Sequence, residues 1–76
     1  MVQNIDKLKG KKAEKGLTYK QIADKLNMTE TTLRKKINEP DGEFYLFETI
    51  LIKDLLGLST NDYVDIFFGN KLELNS

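Results

Sequence analysis

The chain has 76 residues, and 12 Lys+Arg balance 12 Asp+Glu to a formal net charge of zero. That length holds one small domain spanning 1–76, and 39% apolar with 32% charged residues is a globular composition rather than a disordered one. Cysteine and histidine are both missing, which removes a disulfide framework, a thiol nucleophile, most zinc chemistry and the usual general base near neutral pH. No apolar run approaches the ~20 residues of a membrane span, and lysine-rich residues 1–20 lack the apolar block of a signal peptide. The expected class is an intracellular, non-enzymatic domain with no metal, cofactor, membrane contact or small-molecule substrate.

The zero is the sum of two unlike halves. Residues 1–36 hold ten basic and four acidic side chains, a net of +6, and residues 37–76 hold two basic and eight acidic ones, a net of −6. Such asymmetry suggests one face aimed at a polyanion and another held away from it.

The first predicted helix runs from Asn4 to about Glu14, with Ile5 and Leu8 at i, i+3 and Ala13 further on. Gly10 inside it costs ~1 kcal/mol relative to alanine, and Gly16 ends it. The second opens on Thr18-Tyr19-Lys20-Gln21, the S/T-x-x-E/Q capping box, with Leu17 placed to staple onto Ile22. Ile22, Ala23 and Leu26 form its apolar stripe, and it stops near Leu26. Asn27 follows, a residue type that tolerates the left-handed turn conformation. Met28 plugs the angle between helices. The third helix is capped by Thr29, has Glu30 in its first turn, and packs Leu33 and Ile37 inward. Asn38-Glu39-Pro40-Asp41-Gly42 is the strongest turn signal of the chain and stops it.

A fourth helix spans about Leu46 to Leu56. It has more apolar residues than one stripe needs, so it is the central core helix or it also meets a partner. After Gly57, Ser59-Thr60-Asn61-Asp62 begins a fifth helix with Tyr63, Ile66, Phe67 and Phe68. In the tail, 69–76, Lys71 to Asn75 alternates polar and apolar residues, a pattern open to a short strand or to a frayed end.

The detail between residues 17 and 38 is the informative part. Ala23 is small where a second helix must cross closely, Asn27 turns the chain four residues later, and Leu33 faces Ala23 across the motif. The outer face of the third helix then consists of Thr29, Glu30, Thr31, Arg34, Lys35 and Asn38, the hydrogen-bonding and cationic side chains that a helix in the DNA major groove requires.

The run from Leu17 through Leu33 resembles the helix-turn-helix of the Cro/CI-type phage repressors, the XRE family, and the likeness covers most of the chain. The ending Asp65-Ile66-Phe67-Phe68-Gly69-Asn70-Lys71 is similar to small phage regulatory proteins. The resemblance implies an all-α, compact five-helix lambda-repressor-like domain with the motif at about 18–38 and a C-terminal tail that is extended or a strand. It implies a cytoplasmic, nucleoid-associated repressor of phage or prophage origin. Its partners would be a palindromic double-stranded operator and a second copy of itself. Base-reading positions fall at Thr29, Glu30, Thr31, Arg34 and Lys35, where arginine and lysine can donate to guanine, and glutamate can accept from cytosine N4.

Phosphate contacts are expected from Thr18, Tyr19, Lys20, Lys36 and Asn38. Three positions depart from the family pattern. Tyr19 stands where a phosphate-gripping glutamine is common, Asn27 replaces the turn glycine, and Lys36 replaces an apolar residue and is left for phosphate. Tyr63 and Phe67 are expected to close the monomer core, and Phe68, Leu72 and Leu74 to form the dimer interface. An excisionase, antitoxin or antirepressor role, or a helical protein-interaction module, remains the alternative.

Overall fold

The computed structural model describes residues 1–69. Five helices follow in order: α1 Ile5–Glu14, α2 Tyr19–Lys25, α3 Glu30–Asn38, α4 Leu46–Leu56 and α5 Thr60–Phe67. The all-α expectation holds for these residues, while the tail with Leu72 and Leu74 lies outside the described residues. None of the described helices is long and apolar enough to cross a membrane.

Local chemistry sets the helix starts. Asn4, Thr18, Thr29 and Ser59 each accept a hydrogen bond from the backbone N–H three residues on, so every one of these helices has an orphan donor satisfied by a side chain. At Thr18 the full capping box forms, with the Gln21 carboxamide oxygen accepting from the Thr18 N–H at 2.8 Å. Asn4 caps α1 rather than beginning it. Asn27 takes a left-handed φ of 62°, the conformation that lets α3 double back onto α2 within a short turn.

The core is a single cluster in which Leu33 and Ile66 are fully buried, joined by Leu8, Ile22, Ala23, Leu26, Ile37, Ile52, Leu56 and Leu58. Ala13, placed on the inner stripe of the first helix by its sequence, is exposed. Val2 belongs to the core, and sequence periodicity gave no sign of it because it precedes any helix. Its N–H donates to the Ile37 carbonyl, and the N–H groups of Gln3 and Asn4 both donate to the Ile66 carbonyl. Both acceptors are last-turn carbonyls, which a helix cannot satisfy itself. The leading segment therefore ties the end of α3 to the end of α5.

On α4, Thr49, Ile52 and Leu56 turn inward at i, i+3, i+7, together with Glu48. Leu46, Phe47, Ile50 and Leu51 turn outward and are exposed, as is Tyr45 just before the helix. The apolar excess seen in the sequence is thus a second, solvent-facing stripe.

Candidate nucleic-acid interface

α2 and α3 cross where Ala23 removes bulk. Met28 is half-buried at the junction, and its N–H donates back to the Ala23 carbonyl at 3.0 Å. Burial of Leu33 and Ile37 fixes the rotation of α3, so Thr31, Arg34, Lys35 and Asn38 are held outward. The loop after α3 closes tightly on its last turn. A side chain at Gly42 would begin 2.1 Å from the Lys35 carbonyl oxygen, so only glycine fits there.

The outward residues are not equivalent. The Thr29 hydroxyl accepts from the Thr32 N–H at 3.1 Å and bonds the Thr32 hydroxyl at 2.9 Å, so capping occupies much of its capacity. Arg34 and Glu30 hold each other: the Arg34 Nε donates to Glu30 Oε2 at 2.9 Å and its Nη2 lies 2.8 Å from the same oxygen. Asn38 Nδ2 donates to the Arg34 carbonyl at 3.0 Å, and the residue is exposed. Thr31 and Lys35 are exposed and have no side-chain partner among the described residues.

Among the expected phosphate contacts, Tyr19 is corrected and Lys36 is engaged within the chain. The Tyr19 ring is buried, and its hydroxyl is inaccessible and without a hydrogen-bond partner among the described residues. Burial pushes its pKa up, against a smaller downward pull from Arg34, so the phenol stays neutral. What the ring offers instead is its face: the Arg34 guanidinium carbon lies 4.7 Å and the Lys12 ammonium 4.8 Å from its centroid.

Lys36 is likewise turned inward. It donates to the Glu43 carbonyl at 3.0 Å and to Glu48 Oε1 at 3.3 Å, and it lies over the rings of Phe44 and Tyr45. Glu48 is 5% exposed and also accepts from the Tyr45 N–H at 2.9 Å. An ammonium satisfying a buried carboxylate is a structural strut. Lys36 is held in this half-buried position because Glu48 comes to meet it. Thr18 and Lys20 stay exposed at the start of α2, where Lys20 makes only a loose 3.7 Å pair with Asp24.

At the opposite seam, Lys7 and Lys11 of α1 meet α5. Lys7 lies 2.8 Å from Asp65 and 3.4 Å from Asp62, and Lys11 lies 3.1 Å from Asp62. The hydrogen bond from Lys11 chiefly holds the Asp62 pKa down, and that from Lys7 holds Asp65 down. The same Asp65 contact raises Lys7.

Tyr63 and Phe67 close the monomer core as expected: Tyr63 shares a 2.7 Å hydrogen bond with Thr49, and Phe67 meets Phe44 edge-on at 5.8 Å. Phe68 also rests edge-on against Tyr63 at 5.6 Å, so part of this proposed interface residue is used within one chain. The larger exposed apolar surface is the α4 face, from Tyr45 at 68% exposure to Leu51 at 40%.

In comparisons with known proteins, no family, no curated protein and no solved structure matches this chain.

Proposed function

We propose that the chain is a sequence-specific, double-stranded-DNA-binding regulator of transcription, a Cro/CI-type repressor that occupies a palindromic operator as a homodimer and excludes polymerase. Two capped helices joined through a left-handed Asn27 support this most directly, because burial of Leu33 and Ile37 leaves Thr31, Arg34 and Lys35 together on the outside of α3. Inserted in a major groove, α3 would offer Arg34 and Lys35 to guanine and Thr31 to a thymine methyl or a base edge. Thr18 and Lys20 at the start of α2, and Asn38 at the end of α3, would meet phosphates on either side.

Pairing suits the exposed face of α4. Tyr45, Leu46, Phe47, Ile50 and Leu51 are each 40–68% exposed, and large exposed apolar surface of this kind marks an interaction site. Two half-sites about one turn of DNA apart would then be engaged together.

The test is a gel shift against random duplex at two salt concentrations, followed by selection of bound sequences from a random pool. Affinity that falls with salt and a selected palindrome support the reading. An absence of binding at low salt, or binding insensitive to salt, would sink it.

A further inference from the structure

We infer that Glu30 and Tyr19 are positioning residues that hold the Arg34 guanidinium with one particular edge outward, so that Arg34 reads a guanine rather than a phosphate. This rests on the DNA-binding reading above and deepens it.

A guanidinium has five N–H donors in a planar fork, and it can grip an acceptor pair by two edges. The side edge consists of Nε–H and one Nη2–H. The end edge consists of one hydrogen each from Nη1 and Nη2. Here the side edge is taken, because both Nε at 2.9 Å and Nη2 at 2.8 Å meet the same Glu30 oxygen. The end edge is left over, and it is matched to the O6 and N7 acceptors of one guanine.

Tyr19 supplies the second restraint. Its ring centre lies 4.7 Å from the guanidinium carbon, and the ring is itself immobilised by burial at 8% exposure. A carboxylate along one edge and an aromatic ring against the group fix both its reach and its plane. A third contact, from Asn38 Nδ2 to the Arg34 carbonyl, holds the backbone beneath it.

These contacts have two consequences. Glu30 offsets the cation, so Arg34 adds less to sequence-independent attraction for the phosphate backbone, which scales with the number of phosphates neutralised. The rotamer freedom that a long exposed arginine would lose on docking is already reduced in the free protein. Both raise the ratio of cognate to random binding. Glu30 is then the residue that aims Arg34 and is not itself a reader of cytosine.

The experiment has two arms. In the first, the Arg34 Nε–H signal is followed by ¹H–¹⁵N NMR in the free protein. A resolved signal that exchanges slowly with water is expected in the wild type and in Tyr19→Phe, which keeps the ring, with loss or marked acceleration in Glu30→Ala and Tyr19→Leu. A fast-exchanging wild-type signal, or one unchanged in Glu30→Ala, overturns the proposal without reference to DNA.

The second arm uses a duplex selected by the wild type, the same duplex with each G·C pair replaced in turn, and a random duplex. Arg34→Ala should erase a roughly 5- to 150-fold penalty at one G·C pair. Glu30→Ala should shrink that penalty at the same pair while tightening binding to the random duplex several-fold, and Glu30→Gln, which keeps an acceptor, should recover part of it. Glu30→Ala lies on the surface and tests the proposal even if Tyr19→Leu fails to fold. A full penalty retained in Glu30→Ala overturns positioning while DNA reading by Arg34 stands. An equal loss on every duplex in Arg34→Ala overturns base reading by Arg34 and positioning with it, and leaves DNA binding intact. Failure of every duplex to bind overturns the parent reading.

Discussion

Lys11 and Lys35 come from the same basic half of the sequence and have opposite fates. Lys35 stands on the outer face of α3 with no ion-pair partner among the described residues, whereas Lys11 is clasped by Asp62 across the seam between α1 and α5. Lys7 and Asp65 repeat that clasp, and Lys36 repeats it in a more buried form with Glu48. The +6 and −6 halves are therefore partly stitched to each other and do not simply form two opposed faces. A lysine becomes available to a polyanion only when the fold brings nothing acidic opposite it. On α3 that condition is met at Lys35, because burial of Leu33 and Ile37 turns it to solvent, and not at Lys36, which meets Glu48.

The contrast can be broken most severely at Lys36. Lys36→Ala leaves Glu48 buried with the Tyr45 N–H as its remaining partner, and it should destabilise the fold by about 2–4 kcal/mol in chemical denaturation. If Lys36 were instead a phosphate contact, the variant would keep its stability and lower the salt slope of DNA binding by about one. On the other side of the contrast, Arg34→Ala should leave stability nearly unchanged and cost about 1–3 kcal/mol on a selected duplex. Titrations on cognate and random DNA check this, and equal losses on both would make Arg34 a phosphate contact.

Phe47→Glu tests the remaining exposed surface. It should weaken self-association by tenfold or more in sedimentation equilibrium, as loss of an aromatic anchor does, with the thermal midpoint of the monomer held. Unchanged association would return the pairing surface to Phe68 and the tail.

The smallest effect belongs to the α1–α5 clasp, whose groups are solvated and screened by salt. Asp62 and Asp65 have depressed pKa values in the folded chain, so their contribution is present above the ordinary carboxylate range and is lost as pH falls through it. Lys7 is raised, so its contribution holds below the ordinary lysine value and is lost as pH climbs past it. Stability should be flat between about pH 5 and 9 and fall on either side. Lys7→Met should flatten the acid limb, as read by thermal melts across pH at low salt.

Much of this molecule was legible in local spacing. A cap three residues from its donor, an asparagine at a left-handed turn and an apolar pair at i, i+4 are settled within one or two turns of chain, and the structure keeps all of them at Thr18, Asn27, Leu33 and Ile37. The Glu30–Arg34 pair was legible too, since glutamate four residues before arginine is the favourable helical order. Reading those residues separately as base contacts missed that they meet. The inward turn of Lys36, the burial of Tyr19 and the anchoring by Val2 were not legible. Each depends on a residue far along the chain or on a neighbouring helix: Glu48 for Lys36, Arg34 and Lys12 for Tyr19, Ile37 for Val2.

By itself, then, the sequence determined where helices begin and end and which aliphatic residues of α2 and α3 turn inward, because hydrogen bonding to the backbone and helical periodicity act over a few residues. Only the tertiary structure decided which charges are neutralised, which aromatic ring is a platform and which apolar stripe of α4 is left in water. Those outcomes turn on distances between side chains that only close packing brings within a few ångströms.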